Sequence, residues 1–139
     1  MCASYGIEDT VCCCKDQLNL YPEDANFVIN YSSSNDGNGS HWVALVIDEK
    51  TRLAYYSDSF ARKPLPQIVA YCKKRNMKGL FYNTEVLQNA STSDCGWFAL
   101  SMLYVMQKQK TKSMDAYCDL FSGKKYSNDE VLKQIFTRQ

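Results

Sequence analysis

A chain of 139 residues has room for one buried core and none for a second domain, and a content of 45% hydrophobic and 13% aromatic residues is that of a globular protein. The net charge is only +1, but residues 1–61 carry 3 Lys/Arg against 9 Asp/Glu while residues 62–139 carry 13 against 6, so only the second half suits a weak contact with DNA. Seven cysteines, three of them consecutive (Cys12, Cys13, Cys14), exclude a tidy disulfide framework and predict free thiols in a reducing compartment.

No repeat or low-complexity tract interrupts the sequence, so a single domain over residues 1–139 is expected. The longest apolar run, Trp42 to Ile47, is too short to span a bilayer, and the first twenty residues lack the basic start and apolar centre of a signal peptide. A soluble intracellular protein is expected.

Residues 1–26 have weak periodicity and a Tyr21-Pro22-Glu23-Asp24 turn signal, which predicts an irregular lead-in with at most one short helix. Phe27 to Ser33 reads as a strand. The Asn35-Asp36-Gly37-Asn38-Gly39 cluster then turns the chain back. The next strand starts at His41, and Trp42 to Ile47 is apolar at every position, as in a strand covered on both faces. Leu53 to Ser59 returns as its hairpin partner. A turn centred between Glu49 and Lys50 sets His41 directly opposite Asp58, within reach of a carboxylate to imidazole hydrogen bond.

Pro64 and Pro66 introduce a helix that buries Leu65, Ile68, Val69 and Cys72, places Lys73, Lys74 and Arg75 at its C-terminal end and stops near Asn76. Leu80 to Leu87, rich in aromatic and β-branched residues, reads as a strand that delivers Gln88 to a loop. From Trp97 to Met106 the chain is apolar almost all round, which predicts a buried helix opened by Cys95. Two shorter helices close the chain, Met114 to Phe121 and Asn128 to Arg138, the second opened by the capping sequence Ser127-x-x-Glu130.

Cys95 is the residue with chemistry to offer. At a helix start its sulfur meets the positive end of the macrodipole and unpaired backbone N–H groups, which favour thiolate over thiol. Gln88, seven positions earlier, has a side-chain N–H to give to a developing oxyanion. His41 is the only histidine, and Asp58 follows it by 17 positions. Each residue alone has an ordinary structural explanation. A base at a strand start, a facing carboxylate, a glutamine at a strand end and a thiol at a helix start together point to nucleophilic catalysis.

His41-Trp42, Asp58, Gln88 and Asp94-Cys95-Gly96, in that order, resemble the cysteine peptidases that include the adenovirus maturation protease (adenain) and the proteases of SUMO and similar modifiers. The likeness runs from about Phe27 to Gln107. It implies an α+β fold, with a small central mixed sheet packed on a buried helix that carries the nucleophile. It also implies Cys95 as nucleophile, His41 as general base and acid, Asp58 as the group orienting His41, Gln88 in the oxyanion hole and Trp42 beside the histidine as a substrate-binding residue. The implied substrates are protein precursors, and no cofactor or metal is implied. The step from Gln88 to Cys95 is similar to adenain, which favours a viral or virophage-type protease maturing capsid or core proteins in the host cytoplasm, virus factory or virion. Asp58 departs from adenain, which has Glu there, and agrees with SUMO proteases. A deconjugating isopeptidase and an acetyltransferase effector with the same triad are the alternatives.

Overall fold

The computed structural model of the chain describes residues 10–31, 41–87, 95–109, 112–121, 131 and 135. The frame is a five-stranded sheet in the order β1 (Thr10–Cys14), β2 (Asn26–Asn30), β3 (Trp42–Asp48), β4 (Leu53–Ser57) and β5 (Gly79–Tyr82). The two inner pairings are antiparallel and the two outer ones parallel, so the sheet is mixed. Helix α1 (Pro66–Lys74) carries the chain from β4 across to the parallel β5. Helix α2 (Cys95–Lys108) and the short α3 (Met114–Cys118) follow.

Alternation along the strands sends side chains to two separate cores. Val28, Ala44, Val46 and Tyr55 pack on one face with Phe98, Ala99, Met102, Leu103 and Met106 of α2 and with Tyr117 of α3. Phe27, Ile29, Val43, Leu45, Ile47 and Tyr56 face the other way, against Ile68, Tyr71 and Cys72 of α1 and Leu18. The unbroken apolar run of β3 therefore has a physical cause: Val43 to Ile47 are all buried because helices cover both faces.

On the α2 side, hydroxyl groups join two helices inside the core. The Ser101 hydroxyl donates to the Phe98 carbonyl at 2.7 Å and lies 2.8 Å from the Tyr117 hydroxyl, tying α3 to the middle of α2. Val131 and Ile135 are helical and pack against the same core, within the segment expected as the last helix; its capping residues Ser127 and Glu130 lie outside the described residues.

Several sequence expectations are corrected. Within the lead-in, Thr10–Cys14 forms an edge strand parallel to β2 where irregular chain was expected, and the one short helix expected is the 3-10 helix Lys15–Leu20, while residues 1–9 lie outside the described residues. Only Cys13 of the cysteine cluster is buried, which is why the segment lacks an apolar signature. The strand expected over Leu80 to Leu87 ends at Tyr82, because Asn83 uses its side chain where a ladder would use backbone. The helix expected to reach Phe121 ends at Cys118. Tyr71 joins the buried face of α1, whereas Val69 is only half-buried. The turn cluster 35–39 lies outside the described residues.

The hairpin register is shifted by two. Ala44 pairs with Ser57 and Asp48 with Leu53, leaving a four-residue loop, Glu49 to Arg52. Arg52 closes it in the left-handed region at φ 60°, with its N–H bonded to the Asp48 carbonyl at 2.8 Å. Extended to the strand ends, this register sets Asp58 opposite Val43. A slip of two preserves the face, so His41 and Asp58 still point to the same side as a diagonal pair.

Because Phe98 is fully buried between α2, the sheet and Phe121, replacing it by alanine leaves a cavity. Phe98→Ala is expected to cost about 3–5 kcal/mol, read as a lower urea midpoint with an unchanged slope.

Candidate active site

Three chain segments converge at one end of the sheet. His41 stands at the entrance of β3, Asp58 just past the end of β4, and Cys95 is the first residue of α2. The antiparallel β3–β4 pairing brings the start of one strand beside the end of the next. The apolar face of α2, packed on β3, sets the start of the helix at the same place.

Asp58 is fully buried, and its Oδ1 lies 2.7 Å from Nε2 of the buried His41. The same oxygen accepts the Phe60 N–H at 2.9 Å, a local turn bond that helps to hold the carboxylate. Oδ2 is buried and has no hydrogen-bond partner among the described residues. A carboxylate so incompletely solvated gains strongly from a facing imidazolium.

Two aromatic rings pack on the imidazole. The Tyr31 ring lies 5.3 Å from it and the Phe60 ring 5.1 Å, centroid to centroid. The Arg62 guanidinium covers the outer side of both rings at 5.4 and 5.6 Å. Tyr31 also donates its backbone N–H to the His41 carbonyl at 2.8 Å. Ring rotation is thus restricted by packing as well as by Asp58.

With Nε2 given to Asp58, the other ring nitrogen is left for Cys95, and the two side chains are hydrogen-bonded. The Cys95 thiol is held below its ordinary range chiefly by this bond to His41. Burial opposes it, and the backbone N–H groups of Trp42 and Gly96 assist. For His41, burial is the largest single influence and acts downward; the bonds to Asp58 and Cys95 together outweigh it and push the imidazolium up to about 9. Both shifts act in the direction of the thiolate and imidazolium forms of the pair.

Three other cysteines shift the opposite way. Burial pushes the Cys13 thiol up to about 12 and the Cys72 and Cys118 thiols up to about 11. Among the described residues no group of three or more His, Cys, Asp or Glu side chains can hold a metal ion.

Of the sequence candidates, the structure brings His41, Asp58 and Cys95 together. Gln88 and Asp94 lie outside the described residues. Trp42 is placed differently from expectation: its ring packs with the α2 core near Gly96, on the face of β3 away from His41, and its backbone N–H is what meets the sulfur. Sequence reasoning missed Tyr31, Phe60 and Asn83. Asn83 carried one signal, since asparagine is depleted in strands and stood inside a segment read as one.

The fold is that of a cysteine peptidase family. The chain belongs to the Ulp1 protease family, whose C-terminal catalytic domain matches residues 35–134. Among solved structures, the ASFV pS273R protease is similar with a TM-score of 0.56 at 18% identity, over 81% of this chain and 43% of that one. ChlaDub1 from Chlamydia trachomatis is similar with a TM-score of 0.50 at 16% identity, over 93% of this chain and 68% of that one. The chain spans less than half the length of the ASFV protease it matches. No curated protein matches the sequence.

The contrast between one depressed and three raised thiols gives a direct measurement. Limiting iodoacetamide at mildly acidic pH is expected to modify Cys95 ahead of Cys13, Cys72 and Cys118, as read by peptide mass spectrometry.

Proposed function

We propose that this chain is a cysteine peptidase that cleaves protein substrates through a thioester acyl-enzyme. The observation that carries the reading is the buried chain of contacts from Asp58 through His41 to the half-buried Cys95 at the first position of α2. The Cys95 thiolate attacks the scissile carbonyl, and the His41 imidazolium gives its proton to the departing amine as the C–N bond breaks. Neutral His41 then takes a proton from water, the hydroxide attacks the thioester, and the carboxylic acid product leaves with the thiolate restored. Asp58 keeps the imidazole in the productive orientation and stabilises its protonated form. The oxyanion is held by the Cys95 backbone N–H, which lacks an intrahelical partner at the helix start, and by the Gln88 side chain.

Within that class, the reading adopted here is an endopeptidase acting on viral precursor proteins during virion maturation. The seven-position step from Gln88 to Cys95 supports it, and the shared fold with a viral protease is compatible with it. The match to the Ulp1 family favours a second reading, an isopeptidase that removes a ubiquitin-like modifier. Vinyl-sulfone probes built on ubiquitin and SUMO separate the two: labelling of Cys95 at probe concentrations near the protein's own supports the isopeptidase, and its absence, with cleavage of a peptide library, supports the endopeptidase.

The distinct jobs of the residues predict graded losses of peptide cleavage. Cys95→Ala is expected to abolish cleavage while leaving the melting temperature nearly unchanged, and His41→Ala to be almost as severe, since no other imidazole exists in the chain. Asp58→Asn is expected to leave more residual activity than either. Gln88→Ala is expected to lower kcat by about 10² to 10³ with KM little changed. Retained cleavage in Cys95→Ala overturns the assignment.

Activity is also expected to fall as pH rises past about 9, where His41 loses its proton and can no longer supply the leaving group. The sign follows from the raised imidazolium: the acid is present below that value and absent above it. A pH profile of kcat/KM measures this alkaline limb.

A further inference from the structure

The carboxylate that orients His41 is itself held by one residue that the reaction scheme does not use. Asn83 follows the last residue of β5 and is 4% exposed. Its Oδ1 accepts the Asp58 N–H at 3.0 Å, and its Nδ2 donates to the Asp58 carbonyl at 2.7 Å. The second Nδ2 hydrogen goes to the Glu85 carbonyl at 3.1 Å. Only one orientation of the amide satisfies all three bonds, because a flip would set oxygen against two carbonyls and nitrogen against an N–H.

The parallel β4–β5 ladder ends at Tyr56 and Tyr82, and contact resumes between the Leu87 N–H and the Ser59 carbonyl at 2.8 Å. Between those points the Asn83 side chain replaces the neighbouring strand, offering Asp58 the donor and acceptor of a peptide group. The chain after β5 is thereby free to turn away. Asp58 remains anchored at both its N–H and its carbonyl.

We infer that Asn83 is a positioning residue for catalysis: by clamping the Asp58 backbone from both sides it fixes the carboxylate that holds the His41 imidazolium against the Cys95 thiolate. This rests on the peptidase reading, and its action runs entirely through Asp58. Loss of the clamp leaves a buried Asp58 N–H without a partner and lets the carboxylate drift. A one-ångström drift is enough to weaken the bond to Nε2 and, with it, the thiolate.

The test is the rate of Cys95 alkylation by iodoacetamide as a function of pH on the full chain, which needs no substrate. Among the described residues, the titratable and charged groups around His41 are Asp58 and Tyr56 from β4 and its end, Tyr31 after β2, Cys95 of α2 and Arg62. Asn83→Ala changes none of them, so a shift reports geometry rather than added charge. Asn83→Ala is expected to move the midpoint of Cys95 alkylation upward by about one pH unit, a roughly tenfold slower reaction at mildly acidic pH. Asn83→Ser, uncharged and able to replace one bond of the three, is expected to shift it less and keeps the test readable if the alanine variant fails to fold. In an Asp58→Ala background, Asn83→Ala is expected to produce no further shift.

An unchanged midpoint in a folded Asn83 variant, or an equal shift in the absence of the Asp58 carboxylate, overturns the inference and leaves the peptidase reading standing. If Cys95 of the unsubstituted protein does not react ahead of the other thiols, the peptidase reading falls and this inference with it.

Discussion

Burial of β3 on both faces is the constraint on which the rest of the structure depends. Val43, Leu45 and Ile47 commit one face to α1, while Ala44 and Val46 commit the other to α2. A strand so enclosed cannot slide by one residue without turning each set of apolar side chains toward the wrong helix. His41 inherits that immobility as the residue at the strand entrance, and Cys95 inherits it through the helix packed on the other face. The alignment of base and nucleophile is a by-product of core packing, achieved without a covalent tie between the two.

The electrostatics follow from where the pair sits. Burial by itself would discharge both partners, lowering the imidazolium and raising the thiol. Asp58 and Cys95 together reverse the balance for His41, and His41 is the main influence that reverses it for Cys95. Charge at the site is sustained by a relay of neighbours against the tendency of a low-dielectric setting to remove it. Cys13, Cys72 and Cys118 show the outcome where burial prevails: their thiols are pushed upward, that of Cys72 in spite of the nearby Arg75.

What could be read from sequence was decided by how local the cause was. The apolar run of β3 and the all-round apolar character of α2 are local, and both elements lie where expected. The pairing of His41 with Asp58 was legible for a subtler reason: the left-handed Arg52 that sets the true register is invisible in the sequence, but an error of two residues leaves the face unchanged. β1 was illegible because it is an edge strand with a single buried cysteine, held by pairing with β2 rather than by a pattern of its own. Asn83 was illegible because a side chain acting as a surrogate strand has no periodicity. The flanking rings of Tyr31 and Phe60 come from two different segments, and only the fold brings them to one imidazole.

The spatial order of the five strands equals their order along the chain, so every strand pairs with its sequence neighbour. A sheet of this kind requires only short-range loop closures and can assemble progressively as the polypeptide emerges from the ribosome. His41 and Asp58 belong to that early half, whereas Cys95 enters with a later helix. A chain made from its N-terminus therefore carries His41 and Asp58 before Cys95, and the contact between sulfur and imidazole that lowers the thiol forms only when α2 docks on the sheet.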